Sequence, residues 1–122
     1  MTVEIGYFVK YGRLVPGREE KAIELFNEAI TFWKKNLTEG AITFFEPVLF
    51  TSGDKEVDLG FFFIKGAEEK IATILVSEDY RMLLTRAAYV VDHLQTELLT
   101  VGEEVIRQAE RTMKVAPEFA LV

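Results

Sequence analysis

His93 is the only histidine in the 122-residue chain, and there is no cysteine. These two facts bound the available chemistry. Thiolate nucleophiles, disulfides and thiolate-bound metals are excluded together, and a site with several imidazole ligands has no residues to build it. No metal and no resident cofactor are expected. Haem in particular would find one imidazole and no obvious anchor for its propionates near His93. What remains for acid–base work is His93, a residue type that titrates near neutral pH, and the carboxylates. In the register 93-95-97, His93 shares a strand face with Gln95 and Glu97. Glu46 lies in another strand, alternating with Phe44, Val48 and Phe50. A carboxylate set among aromatic side chains is an arrangement in which general bases are tuned. His93 and Glu46 are thus the candidate catalytic residues. Glu46, His93, Gln95, Glu97, Phe44 and Phe61 are the candidate ligand-binding residues. Against them stand plainer readings: a solvated histidine at a strand start, and an edge-strand glutamate that deters aggregation. Asp58, at the start of the third strand, reads as hairpin-end solvation.

Other chemistries lack their residues. No phosphate loop, dinucleotide-binding glycine fingerprint, serine nucleophile elbow or metal-ligand cluster is present. The net charge of −6 repels phosphate backbones, so nucleic acid is not an expected partner. Lys10, Arg13, Arg18 and Lys21 lie close in sequence, and they read as a solvated turn. Arg81 and Arg86 could steer an anionic ligand, although exposed arginines are the default. No apolar run reaches the roughly 18 residues of a membrane span. The segment MTVEIGYFVKYG alternates like a strand instead of forming a signal peptide. A cytoplasmic location is expected, in keeping with the absence of cysteine.

The elements that would position these residues follow from periodicity. Val3, Ile5, Tyr7, Val9 and Tyr11 alternate with Glu4, Gly6, Phe8 and Lys10, which predicts a first strand. After Pro16-Gly17, residues 18–37 switch to helical spacing, with Ala22, Leu25, Phe26, Ala29 and Trp33 as the buried stripe and Gly40 as the stop. Ile42 to Thr51 is a second strand. Pro47 inside it has no N–H to donate, which assigns it to a sheet edge. Ser52-Gly53-Asp54-Lys55 reads as a hairpin turn, and Val57 to Lys65 as a third strand ended by Gly66. Its run Phe61-Phe62-Phe63-Ile64 is apolar on both faces, so both faces need cover. A short helix is expected over Ala67–Leu75. A longer one begins at Ser77, with Tyr80, Leu83, Leu84, Ala87 and Ala88 facing inward. A fourth strand runs from about His93 to Val101, and a last helix from Glu103 to Lys114.

The order β-α-β-β-α-β plus a C-terminal helix predicts an α+β, ferredoxin-like domain spanning residues 1–122, with 114–122 as a tail. The antiparallel sheet would have order 4-1-3-2, placing the all-apolar third strand centrally and the proline-bearing second strand at an edge. Right-handed crossovers put the main helices on one face. The other face, carrying Phe61 and Phe63 or Phe62 and Ile64, is too apolar to stand bare on a monomer. A second subunit is the simplest cover, and the chain's own last helix and tail are the alternative.

The stretches PGREEKAIELFNEAI, FFEPVLF, DLGFFFIKG and SEDYRMLLTRAAYVVDHL resemble the dimeric α/β-barrel superfamily, in which ferredoxin-like subunits face each other. They look most like an uncharacterised bacterial group within it, distantly similar to antibiotic-biosynthesis-type monooxygenases. The resemblance spans about residues 3–113. It implies a homodimer and admits three functions. The first is a barrel holding a small apolar or aromatic ligand between its sheets. The second is a cofactor-independent monooxygenase or isomerase with His93 or Glu46 as base. The third is a structural interaction module filled by side chains. Some barrel monooxygenases combine Asn, Trp and His in the cavity. Here Asn27 and Trp33 lie on the first helix, with Trp33 in its core stripe, so no catalytic role carries over to them.

Overall fold

Tyr7, Val9 and Tyr11 are buried, while Phe8 and Lys10 between them are only partly so. This two-residue period makes Glu4–Tyr11 the strand β1. The computed structural model describes residues 3–120; Leu121 and Val122, which close the tail, lie outside the described residues, as do Met1 and Thr2. After β1 come α1 (Glu19–Thr38), β2 (Phe44–Leu49), β3 (Gly60–Ala67), α2 (Glu68–Val76), α3 (Glu78–Ala87), β4 (Gln95–Thr100) and α4 (Glu103–Val115). A 3-10 turn, Ala116–Phe119, follows α4. Glu19 and Glu20 open α1 and Lys35 stands in its last turn, the charge order that suits the helix dipole. Ser77 caps α3, its hydroxyl accepting the Tyr80 N–H at 3.2 Å.

The four strands pair antiparallel in the order β2-β3-β1-β4. This is the ferredoxin-like plan that the element order predicts. Pro47 lies on edge strand β2, where its missing N–H breaks no ladder. The core fills the space between one sheet face and the helices. Tyr7 and Val9 of β1 and Phe62 and Ile64 of β3 pack there with Trp33 of α1, Ile71 and Ile74 of α2, and Tyr80 of α3.

Three boundaries depart from the pattern-based expectation. Gly66 does not end β3; it pairs with Ile5 inside the ladder. Its bare backbone lets α2 approach, since a Cβ there would lie 3.2 Å from the Ile42 Cα and 3.3 Å from the Ile71 side chain. The hairpin between β2 and β3 is longer than Ser52–Lys55, because β2 ends at Leu49 and β3 begins at Gly60. Strand β4 begins at Gln95 and not at His93. His93 has φ +57°, a left-handed conformation that takes the chain out of the extended region.

The end of β1 is clasped by two loops. The Gly12 N–H donates to the Asp92 carbonyl at 2.7 Å, and the Arg13 N–H to the Glu56 carbonyl at 3.0 Å. A Cβ on Gly12 would lie 2.2 Å from the Glu56 carbonyl oxygen and 2.9 Å from that of Asp92. Both obstacles are backbone, so no rotamer change relieves them. Gly12→Ala is expected to cost about 3 kcal/mol by overpacking, read as a lower denaturation midpoint with an unchanged slope.

Candidate functional site

The sheet face away from the core is a small grid set by strand register. Its middle row runs Glu46, Phe63, Phe8, Glu97 across β2, β3, β1 and β4. One flanking row runs Val48, Phe61, Lys10, Gln95, and the other Phe44, Lys65, Gly6, Leu99. Aromatic rings thus occupy the centre. Phe8 and Phe61 lie 4.9 Å apart by ring centroid, and Phe44 and Phe63 5.7 Å. Gly6 makes room for this layer: a Cβ there would be 3.1 Å from the Phe63 ring. Two cations and two carboxylates frame the rings. The Lys65 ammonium sits 4.9 Å from the Phe44 ring centroid, a cation–π contact. Lys10 pairs with Asp58, which gives Asp58 a partner beyond solvent. The Gln95 amide donates to Glu97 at 3.2 Å.

Phe44 and Phe61 are half-buried on this face, while Glu46, Gln95 and Glu97 are exposed at its two edges. Glu46 and Glu97 are separated by the Phe63–Phe8 pair and do not meet within one chain. His93 is exposed in the bend before β4 and stands outside the row that contains Glu97. Phe8, Phe63, Lys10 and Lys65 are as central to the face as any residue singled out from sequence. The signal for them was parity: once Tyr7 and Val9 are assigned inward, Phe8 and Lys10 must point outward. No group of three or more His, Cys, Asp or Glu side chains is placed to hold a metal ion among the described residues. No helix among them is long and apolar enough to cross a membrane.

Among the described residues, nothing from the helix side closes this face. Trp33 is 1% exposed within the opposite layer, and Asn27 is exposed on α1, so the two are not brought together with His93 on the open face. Among the described residues, helix α4 packs closely only with the 3-10 turn that follows it, so the helix itself does not provide the alternative cover. Arg86 lines a groove of ≈ 420 Å³ with Lys21, Glu24, Glu28 and Tyr89. Its charges are of both signs, which gives an anion no clear preference.

The core side carries the perturbed groups. The Tyr7 and Tyr80 hydroxyls lie 2.6 Å apart, and burial raises both above the ordinary tyrosine value. Burial also pushes Tyr11 up to about 12, and its hydroxyl has no hydrogen-bond partner among the described residues. These phenols stay protonated in the folded chain while their unfolded counterparts ionise from about pH 10. The folded state then binds more protons than the unfolded one, so stability falls with rising pH. We expect full stability below about pH 10 and progressive loss from there towards pH 12, at up to about 1.4 kcal/mol per pH unit for each phenol. Denaturation midpoints measured across this range, with phenolate absorbance followed in parallel, provide the check.

No protein-family profile matches the chain, and no curated protein matches it in sequence. Among solved structures it is similar to a crystal structure of a NIPSNAP family protein from Agrobacterium tumefaciens str. C58. The two share 13% identity with a TM-score of 0.53, over 84% of this chain and 89% of that chain. At that identity the likeness carries the fold alone: a ferredoxin-like α+β domain.

Proposed function

We propose that, in the bacterial cytoplasm, two copies of this chain pair through their open sheet faces and hold a small apolar or aromatic molecule between them. One observation carries the reading: the aromatic layer of Phe8, Phe44, Phe61 and Phe63, framed by Glu46, Glu97, Lys10 and Lys65 and left uncovered by the helices among the described residues. Ligand pockets combine an apolar lining with a few placed polar groups, and this face offers both. Its framing charges are mixed in sign, with Lys10 and Lys65 set against Glu46, Glu97 and the Asp58 that pairs with Lys10, and they suit a second copy of the same face better than a strongly charged partner. A place beside the antibiotic-biosynthesis-type monooxygenases in the dimeric α/β-barrel superfamily, with residues 1–122 as one domain, belongs to the same proposal. His93 serves it less well than Glu46 and Glu97, because the two glutamates share the aromatic row and His93 does not.

The test is titration of the dimer with an apolar fluorescent dye, anilinonaphthalene sulfonate. Saturable binding at a fixed number of sites per dimer, weakened by Phe8→Ala, is the expected result. A dimer that takes up no dye would instead be a barrel packed with its own side chains, and the reading would revert to a structural interaction module.

A further inference from the structure

The buried core is divided. One cluster surrounds Trp33, and a smaller one holds Ala22, Leu25 and Val90. A cavity of ≈ 70 Å³ lies at the seam, walled by Phe62 from the first cluster and by all three residues of the second. Tyr11, Phe26 and Phe62 make one side of it, a triangle of rings whose centroids lie 6.2, 6.0 and 5.5 Å apart. Ala22 and Ala29 leave the space open. Seven residues apart, they fall on one line of α1, and both line the cavity with side chains that end at Cβ. Leu14 and Val91, which pair as an isolated bridge, belong to the wall as well. None of the wall residues is exposed.

The polarity of the wall decides what such a space accepts. Every lining side chain is apolar except Tyr11. The Tyr11 hydroxyl lies beside Gly60, where a Cβ would be 2.7 Å from it, and the cavity itself meets no polar surface. A buried water needs about two to four polar partners, so water is a poor occupant here. Packed cores leave few voids of this size, and an empty one forfeits dispersion contacts along its lining. An apolar molecule restores those contacts and brings no hydrogen bond to satisfy. We infer that this cavity is a binding site for a short hydrocarbon. Its volume is about half of the roughly 150 Å³ that admits benzene to an apolar protein cavity, which suits an occupant of about three carbons. Tyr11 and Phe62 point inward from the sheet, so the site lies across it from Phe8, Phe61 and Phe63. It is complete within one chain and does not rest on the dimer proposed above.

Xenon, a single apolar atom, is the probe, and propane is its competitor. Methyl NMR spectra of the full chain under xenon pressure should show saturable shifts, largest at Ala22, Leu25, Ala29 and Leu94. Propane should displace xenon at the same methyl groups. Ala29→Val adds two carbons to the cavity wall and should weaken xenon binding about ten-fold or more. If that variant does not fold, Leu94→Ala decides, since it enlarges the cavity from another element and should tighten xenon and propane binding several-fold. Shifts that never saturate, or that centre on the Phe8 and Phe63 face, would overturn the site. So would an unchanged affinity in a folded Ala29→Val variant, or an unchanged or weaker one in Leu94→Ala. Saturable xenon binding that propane does not displace would overturn the hydrocarbon as its ligand.

Discussion

Trp33→Ala is expected to lower the unfolding free energy by about 3–5 kcal/mol, the range for truncating a large aromatic in a packed core. Trp33 is 1% exposed and meets three rings: Phe32 at 5.1 Å, Tyr80 at 5.5 Å and Tyr7 at 6.2 Å between centroids. Two of those neighbours share the buried hydroxyl pair at 2.6 Å. The substitution therefore opens a cavity beside a buried pair of hydroxyls. Trp33→Phe should recover much of the loss, because an aromatic body still fills the layer. Because Trp33 is the only tryptophan, unfolding in denaturant should be followed by circular dichroism. The same pair of variants tests the position of Trp33 relative to the site. Since Trp33 lies across the sheet from the aromatic face, Trp33→Phe should leave dye binding unchanged. A large loss of binding by a stably folded Trp33→Phe variant would mean that the two sides are not separate.

The sheet order was legible in the sequence because two unrelated constraints converged on it. The run Phe61-Phe62-Phe63-Ile64 demanded a central strand, and Pro47 demanded an edge. Core membership followed parity equally well in β1. What periodicity could not supply was backbone conformation at single residues. His93 continues the 93-95-97 alternation in sequence, yet its left-handed φ removes it from the strand, and nothing in the residue type announces that. Gly66 was misread for a similar reason. A glycine that permits close helix approach and one that ends a strand look identical in sequence, and only the proximity of Ile42 and Ile71 separates them. The candidate site was legible in part. Glu46, Glu97, Phe44 and Phe61 do share the open face, but its centre, Phe8 against Phe63, depends on cross-strand register, which no single strand encodes.

Two adjacent substitutions on β3 should have opposite consequences. Phe62 is 5% exposed in the core, and Phe62→Asp would bury an unpaired carboxylate. That costs several kcal/mol, a large share of a small domain's total stability, so the variant should fail to fold. Phe63, one residue on, lies on the open face between Glu46 and Phe8. In the free protomer a carboxylate at position 63 can be hydrated, and the fold should survive. In the face-to-face dimer the same carboxylate would be desolvated near Glu46, and the symmetry would impose that cost twice. Phe63→Asp is therefore expected to weaken self-association roughly a hundred-fold or more in Kd. Light scattering should find a folded species at the 13.9 kDa chain mass, against twice that for the parent chain. Circular dichroism distinguishes this outcome from unfolding. If Phe63→Asp remains folded and still runs at twice the chain mass, the open sheet face is not the dimer interface, and the ligand site proposed between two such faces goes with it.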